Sequence, residues 1–361
     1  MHLLFFIGDA GWTARARVFV TAAHGLGARG HEVTVACPPG PIIDRLDTKQ
    51  VGVVRTDPRA NAAVATFDVR RIAQDRSLDV AFVHSARDQF VVGSGMRLGG
   101  GGVLLRRLAM FGSLDDAPGA MTTRIAPAAI IVTTEAQARD VQRDGIGRFV
   151  IPLGVDPESF DRTPAADRHA MRMQTDAVVM GCPYAPDGRI RLLNALRTLA
   201  LLAPRHPALR AVVFGQGATD GDLRMHAAAL GVAPLSRFID DKGVDNRAIM
   251  KACDLVWIAA DHDAAAFGCL DAMALGLPVI AERSAVTEHF VADGITGTLL
   301  PEGEPAAVAS AVASVIARTE TRTIFGSAGR VRVQREFPEL AMIEGFERAA
   351  TAAMQTREVA R

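Results

Sequence analysis

Short apolar runs alternate with amphipathic stretches along most of this chain. The runs predict buried strands, and the stretches between them, where apolar residues recur every three or four positions, predict helices. This alternation is typical of a parallel sheet wrapped by helices. The strands predicted in the first part of the chain are Leu3–Ile7, Val33–Cys37, Val51–Arg55, Val80–His84, Val103–Arg107, Ala129–Thr133 and Phe149–Leu153.

The pattern is interrupted once and then restarts. Residues 154–177 are polar and contain two prolines, which indicates a linker. Beyond it the sequence predicts a helix that opens near Phe267 and a long helical tail from Pro305 onward. The strands predicted there are Ala177–Gly181, Ala211–Phe214, Arg237–Ile239, Leu255–Ile258 and Pro278–Ala281. We therefore expect two α/β domains in succession.

Composition narrows the class of protein. Hydrophobic residues make up 49% of the chain and charged residues 22%, which excludes a disordered or fibrous chain. Forty basic residues balance forty acidic ones, so no general basic field indicates a nucleic-acid binder. The four cysteines are scattered without a C-x-x-C pair, which favours a reduced, cytoplasmic protein. The apolar start lacks the basic residues of a signal peptide and is interpreted as a first strand.

The most informative segment runs from Asp263 to Ala281. It is expected to pass from a strand end into a short helix, which contains Asp271, and then through Gly276-Leu-Pro278 into the next strand. A helix start of this kind offers free backbone N–H groups beside a carboxylate, where a diphosphate and its sugar can bind. A plain strand–loop–helix–strand unit without a ligand fits this segment equally well.

This segment resembles the signature of the retaining glycosyltransferases of family 4, which have the GT-B fold. In that signature two glutamates are separated by seven residues and are followed by Ala-Met, a glycine and Pro-Val. Asp263 and Asp271 occupy the two glutamate positions. Further segments that resemble the family in order and spacing are Ala28–Val35, Pro152–Asp156, Val213–Gly217 and Glu288–Pro301.

The resemblance implies two facing Rossmann-like α/β domains. Residues 1–155 would form the acceptor-side domain, 156–176 the linker and 177–330 the domain that binds the nucleotide-sugar donor. Residues 331–361 would form a C-terminal helix that packs back on the first domain.

The activity implied is transfer of a sugar from a nucleotide-diphosphate sugar to an acceptor glycan, lipid or small molecule, with retention and without a metal ion or further cofactor. Asp271 would bind the nucleotide ribose and Asp263 would lie near the transferred sugar. His84, at the end of a predicted strand, is a second catalytic candidate, although a lone histidine there is also explained by a structural role. Trp12, in the first glycine-containing loop, would stack on a sugar ring or serve as a half-buried anchor.

The sequence departs from the family at the donor phosphates. The family neutralises the diphosphate with an Arg and a Lys, where this chain has Cys182 and Asp187. Arg189 and Arg191 are candidate replacements, although positions on an exposed helix face explain both equally simply and are expected for them. Three alanines, at 264–266, replace a glycine-rich stretch, which is expected to reshape the phosphate-binding loop. The complete set of candidate donor-binding residues is Gly11, Trp12, Cys182, Asp187, Gly188, Arg189, Gly215, Gly217, Ala264, Ala265, Ala266, Phe267 and Asp271.

These departures keep other functions open. The first alternative is a catalytically impaired homologue that binds a nucleotide, a glycan or a partner. The second is a nucleotide-sugar epimerase of the same fold, which the segment from Asp263 onward disfavours.

A final pattern concerns membranes. Arg97, Arg106 and Arg107 alternate with apolar residues such as Leu98 and Phe111, a mixture suited to weak peripheral contact with anionic lipid at the inner face of a membrane. The alternative is a buried strand flanked by surface arginines.

Overall fold

The computed structural model describes residues 1–57, 61–111, 125–141, 146–240, 245–301 and 305–359. The chain divides into two compact units. Unit 1 comprises Met1–Leu153 together with Glu339–Arg361, and unit 2 comprises Gly154–Pro338.

Unit 1 is built on a parallel sheet with seven strands among its described residues, in the order β3-β2-β1-β4-β5-β6-β7. The strands are β1 (His2–Phe6), β2 (Glu32–Cys37), β3 (Gly52–Arg55), β4 (Val80–Val83), β5 (Val103–Arg107), β6 (Ala129–Val132) and β7 (Gly147–Val150). Its helices are α1 (Ala14–Ala28), α2 (Ala62–Arg76), α3 (Ala86–Gly99), α4 (Glu135–Asp140) and the C-terminal α13 (Glu339–Val359).

Aromatic packing attaches the C-terminal helix to this sheet. Phe346 of α13 lies with its ring centroid 5.3 Å from that of Phe82, which in turn stacks on Phe5 at 4.7 Å. All three rings are buried, and Phe19 of α1 joins them. Burial of large aromatic side chains supplies much of the stability of such a core. The chain therefore returns to the first sheet after it has completed the second.

Unit 2 contains a second parallel sheet, with six strands in its described part in the order β10-β9-β8-β11-β12-β13. The strands are β8 (Val178–Pro183), β9 (Leu209–Phe214), β10 (Ser236–Ile239), β11 (Leu255–Trp257), β12 (Val279–Glu282) and β13 (Gly297–Leu300). The helices are α5 (Pro157–Asp161), α6 (Arg189–Leu202), α7 (Gly221–Ala229), α8 (Asn246–Lys251), α9 (His262–Ala274), α10 (Ala285–Phe290), α11 (Pro305–Ile316) and α12 (Thr319–Glu336).

The predicted fold class, two Rossmann-like α/β domains with a returning C-terminal helix, is confirmed. Three local predictions are wrong. Helix α9 begins at His262 rather than near Phe267, β13 was not predicted, and the single helical tail is three helices. The segment 331–361 thus spans the end of α12 in unit 2 and the whole of α13 in unit 1, with the division at Pro338.

The proposed lipid-facing arginines require correction. Arg106 and Arg107 are both buried, with 4% and 2% of their surface exposed. Arg106 donates to the His84 carbonyl and to Gln89 Oε1, and Arg107 donates to Thr133 Oγ1. Because β5 lies inside the sheet, its charged end is enclosed by its neighbours and is not available to lipid head groups. In the part of the chain that the structure describes, no helix is long and apolar enough to cross a membrane.

Candidate functional site

The carboxyl ends of three adjacent strands in unit 2 place their loops in close contact. A Cβ atom on Gly215, after β9, would collide with the carbonyl of Tyr184, after β8. A Cβ on Gly188 would likewise collide with the carbonyl of Ala259, after β11. Both positions therefore require glycine, and Gly215 also has a positive φ of 126°. This edge is where open α/β sheets bind ligands.

Arg189 supplies the cation at this edge. It is the first residue of α6, directly after Gly188, and its side chain is 35% exposed. Its guanidinium lies 3.5 Å from Asp222 and 4.0 Å from Asp220, distances that indicate loose ion pairs. Gly217 belongs to the loop between β9 and this aspartate pair. Loose, half-exposed pairs contribute little stability, so Arg189 is free to exchange its partners for a ligand anion.

Asp187 lies beside a second carboxylate, that of Asp261, just before α9. The backbone N–H of Asp261 donates to the Asp187 carboxylate. Asp187 is exposed as a residue, but its carboxylate is partly enclosed, and this partial burial, and then the charge of Asp261, raise the pKa of Asp187 above its usual range. Two carboxylates, those of Asp187 and Asp261, therefore lie at the position where the family has a lysine.

The three alanines are helical. The Ala265 N–H donates to the Asp261 carbonyl, so α9 is already formed at this point. Alanine has the highest helix propensity, and replacement of glycines by alanines extends the helix toward its N-terminus. The backbone N–H groups of Ala265, Ala266 and Phe267 are consequently used inside the helix, and only those of its first turn, up to Ala264, remain for a ligand.

Both acidic residues of the motif lie on α9. Asp263 is in its first turn and is 2% exposed, and Asp271 is 9% exposed. The two positions are eight apart in the sequence, which corresponds to about 12 Å along the helix axis. Asp271 thus lies more than two turns into the helix, deeper than a helix start near Phe267 implied.

Arg191 was expected on an exposed helix face and instead fixes the start of α9. Its guanidinium contacts Asp261 Oδ1 at 2.6 Å and Glu282 Oε2 at 3.0 Å. Asp261 makes no side-chain cap to α9, because its carboxylate is committed to Arg191. Only tertiary packing of α6 against β11 and β12 brings these residues together, so no local sequence signal reveals them.

Cys182 does not lie with the other candidates. Its side chain is fully buried among the core residues of unit 2, including Leu192 and Val213. Burial raises the pKa of its thiol to about 12. Side chains alternate along a strand, so position 182 is directed into the same core cluster as Met180 and Tyr184. A ligand contact through this side chain would require the core to open.

In unit 1 the corresponding edge carries the loop from Gly8 to Thr13. Thr13 caps α1 by accepting from the Ala16 N–H at 3.1 Å. Trp12 is partly exposed, and the guanidinium carbon of Arg45 lies 4.7 Å from its ring centroid. Gly11 precedes it in the same loop. One face of Trp12 is therefore already covered, which leaves a single face for a sugar ring.

His84 and Asp88 lie close to this loop. The His84 ring stacks on Phe19 with 3.7 Å between ring centroids, and its Nε2 lies 2.9 Å from the Arg15 carbonyl. These contacts hold the ring against α1, as the structural explanation of this histidine requires. Asp88, which the sequence analysis missed, is buried, and a Cβ on Gly8 would lie 2.5 Å from its Oδ1. Burial first, and the charge of Asp9 to a smaller extent, raise its pKa.

The structure thus collects Asp187, Gly188, Arg189, the Gly215–Gly217 loop and Asp263 at the carboxyl edge of unit 2. Within the described ranges, no group of three or more His, Cys, Asp or Glu side chains has the arrangement of a metal site.

Comparisons with known proteins cover both units. Residues 16–159 match the family model Glycosyltransferase Family 4, and residues 189–332 match Glycosyl transferases group 1. The D-inositol 3-phosphate glycosyltransferase of Saccharomonospora viridis is 32% identical over 227 residues, which cover 57% of this chain and 51% of that protein. The lipopolysaccharide core biosynthesis glycosyltransferase LpsE of Rhizobium meliloti is 26% identical over 51% of this chain and 53% of its own length. The matches thus span about half the length of these curated relatives.

Solved structures resemble the whole chain. Anabaena HepE, solved in complex with UDP-glucose, has a TM-score of 0.79 at 16% identity and covers 98% of this chain and 100% of its own. Sucrose-phosphate synthase from Thermosynechococcus elongatus has a TM-score of 0.74 at 17% identity, with 98% and 99% covered. At these identities the likeness concerns the fold. Since the family models match most of both units, the chain belongs to the family-4 type of glycosyltransferases with the GT-B fold.

Proposed function

We propose that this protein transfers a sugar from a nucleotide-diphosphate sugar to an acceptor, with retention at the anomeric carbon and without a metal ion. The observation that carries the proposal is the position of Asp263. Its buried carboxylate lies in the first turn of α9, two residues after Asp261, which contacts Asp187 in the loop before Arg189. It also lies inside the region matched by the group 1 family model.

Each residue has a distinct role in this proposal. Arg189 binds the diphosphate, because Cys182 and Asp187 supply no positive charge. Asp271 accepts hydrogen bonds from the ribose hydroxyls. As the bond between the anomeric carbon and the phosphate oxygen breaks, positive charge develops on the sugar, and a fixed carboxylate at Asp263 stabilises it. The acceptor hydroxyl oxygen then bonds to that carbon on the face from which the nucleoside diphosphate departs, and the hydroxyl proton passes to the departing phosphate oxygen.

The relatives support the class of donor. HepE was solved with UDP-glucose, and the Saccharomonospora relative is named as a glycosyltransferase. For the acceptor we keep the three classes glycan, lipid and small molecule. We propose a cytoplasmic location, and any weak contact with the inner face of the membrane would involve the exposed Arg97 and Leu98 rather than the buried Arg106 and Arg107.

A second candidate function is a catalytically impaired homologue that binds a nucleotide, a glycan or a partner. The loss of catalysis is favoured by Asp187, whose carboxylate repels a diphosphate at the position where the family has a cation. At an effective dielectric constant of about 20, one such charge pair at 4 Å is worth about 4 kcal/mol before solvent and competing partners reduce it.

The test is a turnover assay with a panel of nucleotide sugars, in the presence of EDTA, with release of the nucleoside diphosphate as the readout. We expect donor hydrolysis or transfer that persists in EDTA, and a product that NMR shows to have kept the anomeric configuration. Asp263→Asn should abolish turnover while the protein still binds the nucleotide. Loss of turnover in EDTA or an inverted product would contradict the proposed mechanism.

Binding measurements separate the two candidates. Arg189→Ala should weaken the affinity for UDP about tenfold, the effect of about 1.4 kcal/mol from one lost charge-assisted contact. The matched control is Arg224→Ala, an exposed arginine on α7. If UDP binds but no donor in the panel turns over, the non-catalytic function replaces the transferase.

A further inference from the structure

A cavity of unit 2 lies apart from the residues assigned to the donor. It has a volume of about 470 Å³ and opens between α6 and α11, over the last residues of β11, β12 and β13. This volume is within the range of sites that hold small organic ligands, which is about 300–1,000 Å³. In the described part of the chain, none of its lining residues belongs to the candidate donor site.

Trp257 lines this cavity and carries an unused hydrogen-bond donor. The side chain is fully buried, and its Nε1 has no hydrogen-bond partner among the described residues. A buried donor without an acceptor is costly, and in native proteins such a group calls for a specific explanation. A ligand that carries an acceptor atom supplies one.

Among the described polar side chains around the cavity, the carboxylate and amide oxygens already accept hydrogen bonds, whereas some N–H groups do not yet donate one. Both oxygens of Glu282 are already used, Oε2 by Arg191 at 3.0 Å and Oε1 by Asn194 at 2.8 Å. Arg197 donates to Asn194 Oδ1 at 3.1 Å and forms no ion pair with any described residue. Among the described lining residues, the Glu282 and Asn194 oxygens are thus engaged, whereas the Trp257 N–H and the remaining N–H groups of the positively charged Arg197 are not.

The opposite wall is apolar. Leu300 and Pro301 at the end of β13, and Pro305 and Val308 of α11, complete the lining. A bare inorganic ion would leave this wall exposed to water, whereas a ligand with a carbon body would cover it.

We infer that this cavity binds a small anionic organic molecule. Its phosphate or carboxylate group accepts hydrogen bonds from Arg197 and from the Trp257 indole N–H, and its carbon body packs against Leu300 and Val308. The inference does not depend on glycosyl transfer, since it uses none of the residues assigned to that reaction.

The chain offers a built-in reporter, because it contains only two tryptophans, Trp12 and Trp257. In a Trp12→Phe variant the emission of Trp257 is observed alone. We expect phenyl phosphate, which combines an apolar ring with an anion, to change this emission in a saturable way. Benzyl alcohol, of similar size but uncharged, should produce no saturable change.

Substitutions in the same background locate the site. Arg197→Ala should weaken phenyl phosphate binding about tenfold, whereas Arg224→Ala, on the exposed surface of α7, should leave the affinity unchanged. Both side chains are exposed, so neither variant disturbs the core. A saturating concentration of UDP should not displace the probe.

Three results would overturn the inference. The first is the absence of a saturable change with phenyl phosphate in a variant whose circular dichroism matches the wild type. The second is an equal effect of the two arginine substitutions, and the third is displacement by UDP, which would assign the probe to the donor site. None of these results bears on whether the protein transfers sugars.

Discussion

The carboxyl edges of the two sheets follow one plan and differ in how their helices begin. In unit 1, β1 leads into the Gly8–Thr13 loop, and the Thr13 side chain caps α1. In unit 2, β11 is followed closely by α9, and the Asp261 carboxylate is held by Arg191 instead of capping the helix. One edge keeps a glycine-containing loop ahead of its helix, and the other has wound that stretch into helix.

Both edges nevertheless contain a pair of acidic residues. Asp88 lies near Asp9 in unit 1, and Asp187 lies near Asp261 in unit 2, and the pKa of Asp88 and that of Asp187 are both raised. The comparison teaches that the start of α9 offers few free backbone N–H groups for a phosphate, so in the proposed function a side chain, that of Arg189, takes this role. Unit 1 retains the looser backbone.

The largest expected effect comes from restoring the family's arginine at position 182. Because this side chain is fully buried in the core, Cys182→Arg places an unpaired charge among apolar residues. We expect the free energy of unfolding to fall by about 4 kcal/mol or more, measured by urea denaturation.

The matched control is Asp187→Lys, which adds a cation at an exposed position of the same edge. It should change the stability by no more than about 1 kcal/mol and tighten UDP binding about tenfold, a gain that shrinks as salt rises. A stable Cys182→Arg protein would show that β8 can turn this position toward a ligand.

A smaller effect is expected when glycines are introduced into the first turns of α9, so that this helix start resembles the glycine-containing loop ahead of α1. The double variant Ala264→Gly, Ala266→Gly should lower the free energy of unfolding by about 1–2 kcal/mol, because glycine disfavours helix by about 0.5–1 kcal/mol per position. UDP binding, measured by calorimetry, should tighten as N–H groups of the first turns become available. The control is the double variant Ala306→Gly, Ala307→Gly at the start of α11, which should lower the free energy of unfolding by a similar amount without a change in UDP affinity. Equal UDP affinity in the two double variants would refute the proposal that the helical start of α9 limits phosphate binding.

The smallest effect concerns pH. The raised pKa of Asp187 means that the folded state binds this proton more tightly than the unfolded chain does. Stability should therefore fall as the pH rises from the ordinary carboxyl pKa, about 3.9, to the raised value. Asp187→Asn should remove that part of the pH dependence in urea titrations. Asp88→Asn in unit 1 should remove a larger part, since Asp88 is buried and Asp187 is exposed, and an unchanged pH profile in both variants would contradict the assignment.

Much of the fold could be predicted from local pattern. Val103–Arg107 is a strand with the predicted bounds, and Gly30 has the positive φ of 88° expected at the end of α1. β13 was missed because Gly297–Leu300 is short, and short apolar runs are ambiguous. The start of α9 was missed because the resemblance suggested a loop, whereas the alanine propensity that extends the helix was visible in the sequence.

For the candidate site, the local pattern indicates which residues follow each strand: an acidic residue at 187, glycines at 188 and 215, and alanines at 264–266. Strand period and helix propensity are local properties, so they can be read along the chain. Which of these side chains reach the edge follows from the packing of the whole unit, since it depends on the sheet face that each one joins. In the folded unit Cys182, Arg107 and Trp257 are buried, and Arg191 is paired with two carboxylates that are distant in sequence. The sequence does not predict these features, because packing between elements far apart in the chain leaves no local periodic signal.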